Sequence, residues 1–246
     1  MIINEKLLNF DELQLAKHWK IDKLFDRIYK INVDGKELKW IIKSYKDKNL
    51  AYKEYKLLTK LKNIDGVPKL LLSGTYKNYH YYNIISRFKG SDLFDIISDY
   101  GAIKDENIVK DMVKNMLMIL KNIHEKKIIH QDIKPENIIY DVETQKINII
   151  DFEGKYTVTY ASPEYLQKKK ITEKTDLWSL GATIYFILKG KCLFENRKEV
   201  ATKDIRMSKK WTKELQDFLS CLLDRNPKTR YSAQEALSHP WISCIL

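Results

Sequence analysis

The sequence predicts an α+β chain, rich in strands before about residue 86 and mainly helical after about residue 89. Short apolar, β-branched runs crowd the first part: Leu38–Lys43, then Val67–Ser73 and Tyr79–Ile85. A long helical pattern, 103–127, follows and ends in Ile123-His124. A length of 246 residues, 44% of them hydrophobic, can bury a full core, either as one large domain or as two lobes. In chain order, residues 1–20 read as a helical lead-in carrying Leu7, Leu8, Phe10, Leu13 and Leu15. Val33-Asp34-Gly35-Lys36 reads as a hairpin turn into the strand Leu38–Lys43. Residues 50–62 follow an amphipathic helix with Leu50, Leu57, Leu58 and Leu61 on its apolar side.

Charge and cysteine usage set broader bounds. The net charge is +11, and only six of the 44 basic residues are arginines. The lysines form no long block, which fits a solvated lysine-rich surface. Attraction to nucleic acid would rest on net charge alone, so nucleic acid is not the expected partner. Cys192, Cys221 and Cys244 lack the spacing of a metal site or a disulfide framework, which suggests a reducing, intracellular compartment, cytoplasmic or nuclear. No apolar run reaches the roughly 18 residues of a membrane span, and the start carries no signal pattern.

The chain is organised around Ile129-His130-Gln131-Asp132-Ile133-Lys134-Pro135-Glu136-Asn137-Ile138-Ile139. β-Branched residues on each side mark short buried strands, and a polar loop between them holds a carboxylate, an ammonium and an amide. A second carboxylate, Asp151, ends the apolar run Ile149-Ile150. The two segments can form a hairpin with both carboxylates at one mouth. One can accept a hydroxyl proton, and the other, with Asn137, can hold Mg²⁺ through hard oxygens. Lys134 can neutralise charge on a transferred phosphoryl group.

This stretch resembles the catalytic loop of the eukaryotic-type protein kinases, H-R-D-x-K-x-x-N, followed by D-F-G. Its K-P-E-N run is similar to the serine/threonine branch. The resemblance covers about residues 20–242. It implies one bilobal domain over 1–246: a small β-rich lobe to about 86, a hinge at about 86–88, and a larger, mainly helical lobe from about 89. It also implies ATP and Mg²⁺ as cofactors and a protein hydroxyl as acceptor. On that reading Asp132 orients the hydroxyl and takes its proton, while Lys134 stabilises the moving charge. Asn137 and Asp151 hold the metal. Lys43, ending a strand similar to V-A-I-K, grips phosphates and is set by Glu54. Ile28, Ile41, Ile85 and Ile139 surround the base, with Ser86-Arg87-Phe88 as the hinge. Asp92, in a run that resembles G-G-E-L-F, falls where an acid touches the ribose or a basic substrate side chain. With Glu136 it implies a preference for basic residues near the acceptor.

Later motifs match too. Thr175-Asp176-Leu177-Trp178-Ser179-Leu180-Gly181 resembles D-x-W-S-x-G, in which Asp176 anchors the catalytic-loop backbone. Asp224-Arg225-Asn226-Pro227-Lys228-Thr229-Arg230 resembles D-P-x-x-R, which implies a buried pair of Arg230 with Glu164. His130 is expected to pack in the core, and His124 is given no role.

The departures are specific. The glycine-rich phosphate loop should lie at Ile21–Ile28, where Phe25 and Ile28 match but the three glycine positions are Ile21, Lys23 and Asp26. Ile41 replaces the small residue that roofs the base, and Glu153 replaces the glycine of D-F-G, with Gly154 one place later. The segment from Asp151 to Glu164 lacks the middle of the usual activation loop and its phosphorylation site, and Gln131 replaces the arginine that binds that phosphate. The expected segment is fixed, not switched. The alternative is a pseudokinase scaffold of the same fold. The 50–62 helix resembles the family's mobile regulatory helix, where a homodimer could form, though no residue pattern specifies one. The compact, lysine- and isoleucine-rich composition would suit a large DNA virus acting in its host cell, or an AT-rich unicellular source.

Overall fold

A computed structural model describes residues 19–24, 27–76 and 80–243. Most of the expected lead-in helix, together with Phe25, Asp26 and Cys244, lies outside the described residues. The rest falls into two compact units, one made of residues up to 63 with 67–88, the other of 64–66 with residues from 89 onward. The architecture is α+β.

The smaller unit is a five-stranded antiparallel sheet with one helix. Its strands are β1 (Trp19–Lys23), β2 (Ile28–Val33), β3 (Lys36–Tyr45), β4 (Leu70–Tyr76) and β5 (His80–Ser86), in the order β1-β2-β3-β5-β4. Trp19 and Lys20 are therefore strand, not the end of a helix. Asp34 and Gly35 both have positive φ, 49° and 76°, and close the β2–β3 hairpin where the sequence places a turn. The expected glycine-rich loop is mostly strand. Ile21 pairs with Ile31 and Lys23 with Tyr29, so two of the three glycine positions sit in β1, in regular pairing that any L-residue can adopt.

Alternation divides the long strands. Ile42, Tyr82 and Ile84 join Ile31 in an apolar cluster on one face. The intervening positions Ile41, Lys43 and Tyr45 share the other face with their cross-strand neighbours Ile85, Asn83 and Tyr81. Helix α1 (Lys48–Lys60) packs through Ala51, Glu54 and Leu58, at a helical spacing. Asp47 caps it by accepting from the Asn49 amide at 2.8 Å, and Lys60 in the last turn suits the helix dipole.

The larger unit carries a small sheet, β6 (Ser91–Asp92), β7 (Ile138–Asp141) and β8 (Lys146–Ile149), in that order. Gly90 precedes it with φ 108°, and a Cβ there would lie 2.2 Å from the Tyr140 carbonyl oxygen, so the chain can pass only as glycine. Helices α2 (Leu93–Tyr100) and α3 (Glu106–Glu125) follow, capped by Asp92 and Asp105. The apolar stripe of α3 runs through Val109, Met112, Met116, Leu120 and Ile123. After β8 come α4 (Pro163–Leu166), α5 (Lys174–Lys189), α6 (Arg197–Thr202), α7 (Lys213–Leu222), α8 (Ala233–Leu237) and α9 (Pro240–Ser243). Helix α5 is the centre of this unit. It is buried on nearly every side, touches α3 and α7, and stops at Gly190 in the left-handed region. Among the described residues no helix is long and apolar enough to cross a membrane.

Candidate active site

The catalytic-loop segment is hung from α5 by one carboxylate. Asp176, fully buried, accepts from the His130 amide on Oδ2 and the Gln131 amide on Oδ1, each at 2.8 Å. His124 Nε2 meets the same Oδ2 at 2.8 Å. Sequence reading gave His124 no role, because a histidine at a helix end carries no signal of a partner 52 residues later. Gln131 is held at φ 75°, in the left-handed region, where its amide can reach Asp176.

His130 is not a base. Its Nδ1 accepts from the Asp132 amide at 3.2 Å, so the proton sits on Nε2, which donates to the Ile150 carbonyl at 3.0 Å. Burial lowers its pKa, against the pull of Asp176, and the neutral ring packs edge-on to Phe152 with centroids 4.6 Å apart.

The polar groups of the loop then converge. Asp132 Oδ2 lies 3.1 Å from Lys134 Nζ, and its Oδ1 accepts from the Thr157 amide at 3.1 Å. Lys134 Nζ donates to Thr157 Oγ1 at 2.8 Å, which closes a triangle of Asp132, Lys134 and Thr157, the last contributing both its amide and its hydroxyl. Asn137 Nδ2 donates to the Asp132 carbonyl at 2.8 Å and to Oδ2 at 3.2 Å. Both bonds use the amide nitrogen, so the side-chain oxygen Oδ1 is the atom Asn137 can give to a cation. The Ile150 amide donates to the Asn137 carbonyl at 2.9 Å, which brings Asp151 next to Asn137 in the fold. Asp151 has φ 68°, a strained setting for a non-glycine residue. Asn137 and Asp151 thus supply hard oxygen donors of the kind Mg²⁺ takes.

The shortened segment after Asp151 is held at each step. Glu153 is 1% exposed, but Lys155 Nζ lies 2.7 Å from its Oε2, so the added carboxylate is paired. Gly154 takes φ 68°, the left-handed turn that a glycine in the preceding place would otherwise supply. Tyr156 stacks on Tyr165 at 3.3 Å between centroids. Burial pushes its phenol pKa well up, and among the described residues its hydroxyl has no hydrogen-bond partner. Tyr156→Phe should therefore be neutral or stabilising by up to about 1 kcal/mol, because it removes an unsatisfied buried group and keeps the stack. A fall in melting temperature in the variant would contradict this. Ser162 caps α4 by accepting from the Tyr165 amide.

Glu164 and Arg230 form the segment's far anchor. The guanidinium donates from NH1 to Oε1 at 2.7 Å and from NH2 to Oε2 at 2.9 Å, a bidentate pair with Arg230 0% exposed. Its other donors go to the Lys174 carbonyl at 2.9 Å and the Asp224 carbonyl at 2.8 Å.

In the smaller unit Lys43 Nζ meets Glu54 Oε1 at 2.8 Å, with both side chains buried. The residues expected around the base divide between the units. Ile41 and Ile85 are direct cross-strand neighbours on the Lys43 face, and Ile28 pairs with Lys43 itself. The Ser86 amide donates to the Lys69 carbonyl at 2.9 Å and the Arg87 amide to the Lys39 carbonyl at 2.8 Å. Both amides are thus committed to backbone carbonyls of the same unit. In the larger unit Asp92 and Ile139 are cross-strand neighbours. Asp92 Oδ1 accepts from the Asp95 amide at 2.9 Å, so one oxygen is committed to capping α2, and burial raises its pKa. Tyr45 and Asn83 were missed by sequence reading. The signals were present: Tyr45 stands two places after Lys43, and Asn83 is the polar residue in an otherwise apolar strand end.

Asp217, Cys221 and His239 also lie within 4.8 Å of one another. They do not fit a cation. His239 Nδ1 accepts from the Trp241 amide at 3.1 Å, so Nε2 carries the proton and donates to Asp217 at 3.2 Å. The lone pair a metal would need is absent on that nitrogen.

A strand-rich unit with a buried lysine–glutamate pair, and a helical unit with two carboxylates and an asparagine on one loop system, define a protein kinase domain. The comparisons agree: the protein kinase domain family matches residues 33–242, and the chain belongs to that family. Myosin light chain kinase family member 4 of Mus musculus is 26% identical over 93% of this chain and 69% of its own length. Serine/threonine-protein kinase RAD53 of Saccharomyces cerevisiae is 28% identical over 76% of this chain and 29% of its own. Calcium/calmodulin-dependent protein kinase type 1B of Rattus norvegicus is 30% identical over 67% and 54%. The chain thus spans little more than half, or less, of the length of the latter two.

Proposed function

We propose that this chain is a serine/threonine protein kinase, moving the γ-phosphoryl group of ATP to a protein hydroxyl. The observation that carries the reading is the triangle of Asp132, Lys134 and Thr157, closed by contacts of 2.8–3.1 Å. Such a triangle leaves a carboxylate fixed at one edge and a cation beside it, before any substrate arrives. Asp132 orients the acceptor hydroxyl and takes its proton. Lys134 offsets the charge that builds on the transferring group. Asn137 Oδ1 and the Asp151 carboxylate would hold Mg²⁺, which neutralises phosphate charge when bound. Lys43, set by Glu54, would bind the nucleotide phosphates in place of the backbone amides that a glycine-rich loop offers.

The Glu136 carboxylate supports a basic residue near the acceptor. Its Oε2 is buried and, among the described residues, has no hydrogen-bond partner. A basic side chain that reached the half-buried Glu136 by a small shift of its carboxylate would satisfy it. Cys192 and Cys221 are free thiols, which supports the intracellular, reducing setting.

One experiment tests the reading. The chain is incubated with Mg·ATP labelled at the γ-phosphate and a degenerate serine/threonine peptide library. The expected result is phosphoserine and phosphothreonine, enriched in peptides with Arg or Lys shortly before the acceptor. Label without that enrichment would remove the basic preference alone. No label in any peptide would favour the scaffold.

A further inference from the structure

We propose that Tyr45 and Asn83 are positioning residues for Lys43, and that they latch α1 to the sheet through the Glu54 carboxylate. The proposal rests on reading Lys43 as the lysine that binds nucleotide phosphates. A lysine–glutamate pair alone joins a helix to a sheet by one contact, through long, flexible side chains. Here three donors from two strands converge on one carboxylate. Lys43 of β3 takes Oε1 at 2.8 Å. The Tyr45 hydroxyl, also of β3, donates to Oε2. Asn83 Nδ2, of β5, donates to the same Oε2 at 3.2 Å.

Asn83 does more than add a third bond. Its Nδ2 also reaches the Ala51 carbonyl at 3.2 Å, one helical turn before Glu54, so it tethers the backbone of α1 as well as a side chain. Its own orientation is set by Ser73 of β4, whose Oγ donates to Asn83 Oδ1 at 2.6 Å. With Oδ1 fixed as the acceptor, Nδ2 must face the helix. Three strands therefore define where Glu54 lies.

Burial makes the arrangement hard to leave. Glu54 is 1% exposed, Tyr45 1% and Asn83 0%. A rotation of α1 that carried Glu54 outward would take its carboxylate from a buried phenol, a buried amide and the Lys43 ammonium together. The helix is thus held by groups within its own unit, without a bound partner. Position is the function assigned to Tyr45 and Asn83. Neither is placed against the reacting atoms.

The test compares Tyr45→Phe, Asn83→Leu and the double variant with the wild-type chain. Hydrogen exchange over residues 48–60 is read against that of β3 and β5, and the dissociation constant for a fluorescent Mg·ADP analogue is read by direct titration. In the double variant the α1 amides should exchange at least about tenfold faster relative to the strands, and nucleotide affinity should fall about tenfold, the size of one charge-assisted hydrogen bond. KM for Mg·ATP should rise by a similar factor. Faster exchange with unchanged affinity would make the network merely structural and overturn the proposal. So would unchanged exchange in variants of a chain that binds nucleotide, and the kinase reading would then stand without the latch. A wild-type chain that binds no nucleotide would remove the kinase reading and the proposal with it. Should the double variant not fold, Tyr45→Phe, which keeps the ring and removes one hydroxyl, carries the same comparison, with about a threefold effect expected on both readouts.

Discussion

Asp132→Asn should lower phosphoryl transfer about a thousandfold while leaving the chain folded, the loss expected for removing a positioned general base. The substitution is nearly isosteric. An amide oxygen can still accept from the Thr157 amide, now at 3.1 Å from Oδ1. The other atom becomes an NH₂ group facing two donors, Lys134 Nζ at 3.1 Å and Asn137 Nδ2 at 3.2 Å. The triangle would loosen there, but the backbone would stay, because Asp176 holds His130 and Gln131 independently. Labelled-phosphate transfer beside a thermal melt checks both halves. Equal transfer in variant and wild type would mean that Asp132 is not the base. A collapse in melting temperature would mean that it is chiefly structural.

The second large effect is on stability. Arg230→Ala should cost about 3–5 kcal/mol, the range for leaving one partner of a buried pair uncompensated. Against the roughly 5–15 kcal/mol that holds a domain together, the variant would be close to unfolding at ambient temperature. The acid dependence should change sign. Burial on its own raises the Glu164 pKa, but in the wild type the Arg230 hydrogen bonds and charge outweigh burial and hold it below its ordinary 4.5. A depressed pKa gives stability that is present above the ordinary value and lost as pH falls through the depressed one. In the variant the strongest groups opposing burial are gone and only weaker hydrogen bonds, such as that from Thr175, remain, so the pKa rises and protonation in mild acid becomes stabilising. Denaturant melts between pH 7 and pH 5 would read this. Replacing both residues by apolar ones should recover most of the loss. If Arg230→Ala melts like the wild type, the pair is not an anchor.

Much of the site was legible because its residues are close in sequence and typed by chemistry. Asp132, Lys134 and Asn137 lie in one loop, and Asp151 ends the next strand. Asp176 and Arg230 were legible through motifs whose spacing fixes their place. What escaped detection depends on pairing across strands. Asn83 reaches Glu54 only because β3 and β5 pair in a register that sets Lys43 opposite Asn83, and a one-residue slip of β5 would turn it away. The hinge position, Ser86 to Phe88, was named from the sequence, but the bonds its backbone makes were not. Ser86 and Arg87 look alike as backbone donors in sequence, and only the strands beside them decide that both amides are already used. The phosphate loop was misread in extent. The sequence shows that glycines are absent, but not that the strand then continues through two of their positions.

The Asp176 carboxylate has a thermal consequence. It stands on the most buried helix of the larger unit and carries the amides that shape the catalytic loop. The loop cannot drift from its working form while α5 keeps its packing, and it cannot keep that form once α5 melts. Heat should therefore disorder this loop together with α5 and not ahead of it.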